Sequence, residues 1–186
     1  MTPHAFDRFP VLETPRLLLR APVTNDAGDL LALRGDAEIT RYQMIEAPPD
    51  IDAARAQINR WRKRFELRAE VRWIITARED GAFVGISAYS FFVPPLDRGH
   101  VVYEVARRAW GRGLATEALA AMVAWGHEQA GLNRIEAVVV PGNVASARVL
   151  EKVGFTEEGL MRAYGRWHGR YHDMRMFSIV RPGARP

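Results

Sequence analysis

The stretch from residue 100 to residue 140 constrains the fold more than any other part of the chain. It joins a strand at residues 100–106 to a helix at 114–130, and then to a strand at 135–140 in which five of six residues are apolar. Two strands connected through a helix lie parallel in one sheet, with a right-handed crossover. A strand that is apolar along most of its length is buried on both faces. The sequence therefore predicts a parallel strand pair in the middle of the sheet.

Antiparallel hairpins are predicted on both sides of this unit. On the N-terminal side, residues 71–77 and 82–92 are rich in β-branched and aromatic residues, and Asp80-Gly81 between them is a strong hairpin signal. On the C-terminal side, residues 156–167 and 171–181 form a second hairpin. Hairpins around a parallel strand–helix–strand unit indicate the α+β class.

The remaining predicted elements are one short strand and three helices. The strand covers residues 16–21, between two prolines, and the helices cover residues 25–34, 50–68 and 143–153. The chain has 186 residues, a length that fits a single domain over residues 1–186.

Composition excludes several classes of protein. The chain has no cysteine, which excludes a disulfide scaffold, a thiolate metal site and a cysteine nucleophile. No apolar run is long enough to span a bilayer, and residues 1–10 lack the apolar core of a signal peptide, so we expect a cytoplasmic protein without a membrane partner. The net charge of +4 is mild, and the basic stretch at residues 60–68 favours a solvated helix face over a nucleic-acid site.

The loop between the first parallel strand and the long helix carries the clearest chemical signal. Gly111 and Gly113 let the backbone turn tightly, so that successive N–H groups point into one concavity at the N-terminus of the helix. Such a nest binds phosphate, and Arg108 and Arg112 add positive charge at its rim. A dinucleotide loop would need a third glycine where Thr116 stands, and a P-loop would need a lysine after its last glycine. A plain strand-to-helix turn without a ligand stays open.

A second polar segment follows the second parallel strand. Asn143 is placed to cap the N-terminus of the short helix, and Gly154 is placed to end it. Each residue has a sufficient structural explanation by itself. The two segments nevertheless follow two strands that open on the same edge of the sheet, which favours a shared binding site.

Together these segments resemble the GNAT acetyltransferase superfamily. Arg108-x-x-Gly111-x-Gly113-x-Ala115 is similar to its pyrophosphate loop. Asn143-x-x-Ser146, followed by Leu150-Glu-Lys and Gly154-Phe155, resembles the next motif in the branch that includes the RimJ and RimL ribosomal-protein N-terminal acetyltransferases. The opening Glu13-Thr-Pro-Arg16-Leu-Leu-Leu-Arg20 and the ending Gly169-Arg-Tyr171-His-Asp173 are similar to the same branch, so that the likeness runs from about residue 12 to residue 181.

The resemblance implies a fold and a cofactor site. The GNAT fold has a mixed, mostly antiparallel sheet, splayed at a central parallel strand pair, with helices on both faces. It implies acetyl-CoA as co-substrate, lying between the splayed strands, and no metal. The residues expected to bind it are Tyr103 and Val105 through their backbone, Arg108, Gly111, Arg112, Gly113, Ala115 and Thr116 at the pyrophosphate, and Asn143 and Ser146 near the pantetheine arm and the sulfur.

The catalytic groups follow less directly from the resemblance. The tyrosine that many family members use as the acid is replaced by Leu150, so Ser146 is the substitute acid. Glu104 is the candidate base, and the alternative is a solvent-facing carboxylate on an alternating strand. The reaction is expected to acetylate a primary amine, first of all the N-terminal amine of a protein. A small-molecule acceptor, a non-catalytic CoA-binding sensor and a homodimer stay open.

Overall fold

The computed structural model describes residues 2–44, 46–167 and 169–183. Within them the strands are β1 (Leu12–Glu13), β2 (Leu17–Arg20), β3 (Val71–Ala77), β4 (Phe83–Val93), β5 (Arg98–Val105), β6 (Arg134–Val139), β7 (Thr156–Trp167) and β8 (Arg170–Val180). The α-helices are α1 (Ala27–Gly35), α2 (Ala37–Thr40), α3 (Ile51–Glu66), α4 (Leu114–Glu128) and α5 (Val144–Val153).

The described strands form one sheet in the order β1-β2-β3-β4-β5-β6-β8-β7. Neighbouring strands are antiparallel except for β5 and β6, which are parallel and are connected through α4. The predicted parallel pair within a mostly antiparallel α+β sheet is therefore confirmed. Its position between two sets of hairpins divides the sheet into an N-terminal and a C-terminal half.

Two apolar cores cover the two faces of this sheet. Side chains alternate along β3, so that Trp73 and Ile75 pack with α4 residues such as Trp125 on one face. Ile74 points the other way and packs with residues of α1 and α3, among them Trp61. The prediction of helices on both faces is confirmed, and the two faces are here called the α4 face and the α3 face.

Local signals in the sequence account for where several elements begin and end. Asp50 accepts a hydrogen bond at Oδ1 from the Ala53 N–H at 2.7 Å and so caps the N-terminus of α3. Gly81, in the Asp-Gly turn between β3 and β4, has a φ of +72°, a conformation that glycine adopts without strain. Gly154 ends α5 with a φ of +101°, as its position predicted.

Two short elements were not predicted, β1 and α2. β1 has two residues and α2 has four, too few for a periodic pattern to emerge from the sequence. α1 begins at Ala27, two residues later than predicted, because Thr24–Asp26 form a 3₁₀ turn instead of the first α-helical turn. In the described part of the chain, no helix combines the length and the apolarity needed to cross a membrane.

Candidate active site

The parallel strands β5 and β6 separate after three paired positions. Arg98, Gly99 and His100 pair with residues 134–136, and the pairing of the two strands ends there. β5 continues along β4 as far as the Gly85–Val105 pair, whereas β6 continues along β8 as far as the Val139–Arg175 pair. Because each strand stays with its own half of the sheet, a V-shaped gap opens between residues 101–105 and residues 137–139. The splay expected from the family resemblance is confirmed.

Backbone groups of β5 face this gap. The Ala106 N–H donates to the Val84 carbonyl at 2.8 Å, so this position and every second position before it pair with β4. Tyr103 and Val105 lie between those positions and turn their N–H and C=O groups toward the gap. The Trp110 indole N–H donates to the Val105 carbonyl at 2.7 Å. The backbone of Tyr103 and the Val105 N–H can therefore pair with an extended ligand.

The glycine loop lies at the mouth of the gap. Gly111 and Gly113 have φ values of +71° and +75°, the left-handed conformation that turns consecutive N–H groups to one side. A β-carbon on Gly111 would meet no atom within 4 Å, so the space beside this glycine is open. The first helical bond of α4 runs from the Glu117 N–H to the Gly113 carbonyl at 3.1 Å, so Ala115 and Thr116 contribute N–H groups that the helix itself does not use. This geometry fits a phosphate group.

The arginines around the loop have different roles. Arg108 donates from Nη2 to the Phe83 carbonyl at 2.6 Å, so its side chain lies against the sheet, whereas the Arg112 side chain is exposed. Arg107 forms a bidentate pair with Asp36, and the hydrogen bond from Arg107 holds the pKa of Asp36 below its usual value. This pair fastens the corner between α1 and α2 to the loop. Sequence reasoning missed it, because 71 positions separate the two residues.

The start of α5 closes the other side of the gap. Asn143 caps this helix as predicted, with Oδ1 accepting from the Ser146 N–H at 3.1 Å, which leaves the amide NH₂ for other partners. The Tyr103 hydroxyl donates to the Ser146 carbonyl at 3.1 Å and lies 2.9 Å from Ser146 Oγ. Burial raises the pKa of Tyr103 to about 12, although the hydrogen bond with Ser146 acts in the opposite direction. A neutral phenol and a serine hydroxyl thus form a pair across the gap.

Glu104 lies on the α3 face, opposite to Tyr103. Arg34 donates to both of its carboxylate oxygens, from Nε at 3.1 Å and from Nη2 at 2.8 Å. The two side chains are only 3% and 7% exposed, and the Trp61 ring lies 5.5 Å from the guanidinium carbon. The interpretation of Glu104 as a solvent-facing carboxylate is therefore wrong, because the side chain is buried in an ion pair. Its assignment as the base stays a prediction.

His100 is a second titratable group on the face of β5 that carries Glu104. It occupies the last paired position before the gap, opposite Glu136 of β6. Its Nδ1 lies 3.1 Å from Ser90 Oγ, and its ring stacks on Phe91 with the centroids 4.9 Å apart. Burial lowers the pKa of His100 to about 4, although the charge of Glu136 acts in the opposite direction. The imidazole is therefore neutral at physiological pH.

A short segment after α2 contacts the C-terminal half of the sheet. Residues 41–44, here called the strap, follow α2, and the Tyr42 ring lies 3.9 Å from the point that a β-carbon on Gly142 would occupy. The Met44 sulfur lies 2.9 Å from the corresponding point on Gly165 of β7. Because Gly142 follows β6, the strap runs from the end of β6 to the β7–β8 hairpin. It thus connects α2, which packs on the α3 face through Ile39, to the C-terminal half of the sheet.

The comparisons with known proteins agree with this arrangement. A family model described as an acetyltransferase (GNAT) domain matches residues 16–156. The chain belongs to the GNAT family. Among GNAT relatives, the uncharacterized N-acetyltransferase YoaA of Bacillus subtilis is 34% identical over 174 residues, which cover 94% of this chain and 98% of YoaA. The chain is accordingly an N-acetyltransferase, as the resemblance implied.

Solved GNAT structures show the same fold. RimJ of Mycobacterium smegmatis, in complex with a CoA disulfide, superposes with a TM-score of 0.83 at 26% identity, over 92% of this chain and 86% of RimJ. RimL, a ribosomal L7/L12 α-N-protein acetyltransferase in complex with CoA, gives a TM-score of 0.82 at 18% identity, over 92% of this chain and 98% of RimL. The likeness to the RimJ and RimL branch is therefore confirmed at the level of the fold.

The gap is lined by residues predicted to bind acetyl-CoA. Among the predicted site residues, one does not line it. Tyr103 and Val105 form its β5 edge, the loop with Gly111 and Gly113 lies at its mouth, and Ser146 lies beside it at the start of α5. Glu104 is the exception, because it is buried under the gap on the α3 face. The hydrogen bond between the Tyr103 hydroxyl and Ser146 and the burial of His100 were not predicted, although both residues lie on strand β5.

Proposed function

We propose that this GNAT enzyme transfers the acetyl group of acetyl-CoA to the N-terminal amine of a protein. The observation that carries the proposal is the V-shaped gap between β5 and β6, with a left-handed glycine loop at its mouth. The gap offers strand-like backbone groups to an extended chain, and the loop offers N–H groups to a pyrophosphate. CoA has these two parts in this order, and CoA is present in the RimJ and RimL structures.

The residues around the gap fit the cofactor. The pyrophosphate would be held by the N–H groups of the loop at residues 108–113 and by the first turn of α4, with Arg112 adding charge. The pantetheine arm would pair with the backbone of Tyr103 and with the Val105 N–H. The Asn143 amide can donate from the other side. When bound, the thioester supplies an activated acetyl group beside Ser146.

The acceptor amine must lose a proton before it can attack. An ammonium has no lone pair, so a group on the acceptor side has to accept its proton, directly or through water. Glu104 is the acceptor predicted from the sequence, and His100 is a second candidate by position, because it lies on the same face of β5. Both side chains project from β5 toward the α3 face, which the strap borders.

The leaving thiolate needs a proton donor. The partly buried pair of Tyr103 and Ser146 is suited to this role, since their hydroxyls lie 2.9 Å apart and can pass one proton between them. Leu150, at the family's usual tyrosine position, is fully buried in the core and has no proton to give. The Tyr103 hydroxyl would then replace the missing tyrosine from β5 instead of from α5.

The β7–β8 hairpin supports a protein as the acceptor. Tyr164 and Tyr171, on this hairpin, are 54% and 70% exposed, and the strap contacts the same hairpin at Gly165. Exposed aromatic rings beside an opening suit the residues that follow an N-terminal amine in a polypeptide. The similarity to RimL, which acetylates the α-amine of a ribosomal protein, points the same way.

An acceptor screen tests the proposal. Purified protein is incubated with acetyl-CoA and a panel of peptides with different N-terminal residues, and CoA release is measured with a thiol reagent. The matched panel contains the same peptides with blocked N-termini, together with amino acids, polyamines and aminoglycosides. Acetylation of free peptide N-termini alone is the expected result. Turnover of small amines alone would instead assign a small-molecule acceptor, and CoA binding without turnover of any acceptor would indicate a sensor.

A further inference from the structure

Arg16, just before β2, contacts the glycine loop from outside. Its Nη1 donates to the Arg112 carbonyl at 2.9 Å, and its Nε donates to Glu117 Oε2 at 2.6 Å. The Arg16 backbone N–H donates to the other oxygen of the same carboxylate at 2.9 Å. One residue from the N-terminal part of the chain therefore holds both the loop and the first turn of α4.

The contact with the Arg112 carbonyl fixes the direction of the next N–H group. In a trans peptide the C=O and the following N–H point in opposite directions. Because the Arg112 carbonyl is turned toward Arg16, the Gly113 N–H is turned away from Arg16, toward the inside of the loop. The φ of +75° at Gly113 is part of the same arrangement. Arg16 thus orders an N–H group of the nest before any ligand arrives.

Arg16 also compensates a negative charge at the site. Glu117 lies in the first turn of α4, where a carboxylate is favoured by the helix dipole but repels an incoming phosphate. Burial would raise the pKa of Glu117, but the hydrogen bonds from Thr14 and Arg16 outweigh burial and lower it, so the carboxylate is ionised at neutral pH. The Arg16 guanidinium pairs with it at 2.6 Å. The pair leaves the helix N-terminus able to accept an anion.

We propose that Arg16 is a positioning residue for the acyl donor, which acts with Glu117 to preform the nest for the pyrophosphate. This inference rests on the proposed function, because it takes the pyrophosphate of CoA as the ligand of the loop. Thr14 completes the arrangement by donating from Oγ1 to Glu117 Oε1 at 2.6 Å. The affinity for CoA is thus set in part by a residue 95 positions before the first loop glycine, Gly111.

The test compares a donor that has the pyrophosphate with one that lacks it. Arg16→Gln is expected to weaken CoA binding about tenfold in calorimetric titration, the scale of a lost hydrogen bond to a charged group. The KM for S-acetylpantetheine, which has no pyrophosphate, should stay unchanged, as should kcat at saturating acetyl-CoA. Arg78→Gln is the matched control. It removes a hydrogen bond from Arg78 Nη1 to the Thr14 carbonyl in the same turn and touches no loop atom.

The double variant R16Q/E117Q tests whether Arg16 compensates the negative charge of Glu117. Removing the uncompensated carboxylate should restore part of the CoA affinity that R16Q loses, so the two substitutions should be non-additive. Equal losses for acetyl-CoA and S-acetylpantetheine, or an equal loss in Arg78→Gln, would show that Arg16 only supports the fold and would overturn the inference. Normal CoA binding by R16Q would overturn it as well and would leave the proposed function intact. A wild-type protein that binds no CoA would overturn both.

Discussion

The substitution Glu104→Gln separates a structural role of the buried Arg34–Glu104 pair from a catalytic one. The glutamine side chain has one oxygen acceptor and a donor NH₂ group, so it can replace only one of the two hydrogen bonds from Arg34. The other guanidinium donor would face a donor, and the positive charge of Arg34 would be buried without compensation. One Arg34 nitrogen, Nη1, already has no hydrogen-bond partner among the described residues.

The expected cost is large. Removing one partner of a buried ion pair destabilises a protein by about 3–5 kcal/mol. In a domain of this size, each kcal/mol shifts the melting temperature by about 2–4 °C, so Glu104→Gln should melt about 6–20 °C below the wild type. Urea denaturation followed by tryptophan fluorescence gives the free energy of unfolding directly. The double variant R34L/E104L, which removes both charges, should recover most of the loss, because apolar replacement of a whole buried pair is close to neutral.

The opposite result would assign Glu104 to the chemistry. A melting temperature within 2 °C or so of the wild type, combined with a rate about a hundredfold lower at neutral pH, is the signature of a lost general base. A purely structural role for the Arg34–Glu104 pair would then be refuted. A rate loss that follows the loss of folded protein, and that disappears at low temperature, would support the structural role.

Three further predictions address the loop, the hydroxyl pair and the vertex of the gap. Gly113→Val should weaken CoA binding in calorimetric titration by more than about tenfold, because a β-branched residue is strained at a φ of +75° and its β-carbon would lie 3.6 Å from Arg16 Nη2. Arg112→Ala removes only an exposed charge and should cost less. Equal losses for the two variants would mean that the nest is elsewhere. Tyr103→Phe removes the proposed proton donor and should lower kcat about tenfold or more, with the KM for acetyl-CoA unchanged. An unchanged kcat in stopped-flow assays would exclude the Tyr103 hydroxyl as the proton donor. His100→Gln should flatten the pH dependence of unfolding between pH 6.5 and 4, since the pKa of His100 lies at about 4 in the folded protein and at 6.5 when unperturbed. Between these two pH values the unfolded chain binds a proton at His100 that the folded protein does not bind. The free energy of unfolding of the wild type therefore falls with falling pH, by up to about 1.4 kcal/mol per pH unit. Identical pH profiles for the wild type and His100→Gln would contradict a lowered pKa of His100.

The fold was predictable because its main elements have strong local signals. The Asp80-Gly81 turn and the helix ends at Asn143 and Gly154 are chemical signals that act within a few residues, and each lies where the sequence predicted. The parallel pair followed from its helical crossover. β1 has two residues, too few for a recognisable pattern. α2 has a local N-cap in Asp36, which accepts from the Glu38 N–H, but its four residues are too few to show helical periodicity.

The candidate site was predictable to the extent that it consists of backbone. The glycine loop could be located because positive φ values need glycine at Gly111 and Gly113. The side-chain groups were harder, because their surroundings come from other elements. The partner of Glu104 is Arg34, 70 positions away, and the partner of Tyr103 is 43 positions away. Such pairings depend on the packing of α1 and α5 against the sheet.

The separation of β5 from β6 leaves the sheet with a missing strand in its middle. An acyl donor bound in the proposed site would take the place of that strand, so its binding should be visible in amide hydrogen exchange. The N–H groups of Tyr103 and Val105 face the gap and should exchange quickly in the free protein and slowly when CoA is present. The Ala106 N–H, which already donates to Val84, should be protected in both states. The ligand would thus connect the two halves of the sheet, which otherwise pair at only three positions of β5 and β6. The backbone of β5 and β6 should therefore become more rigid when CoA binds.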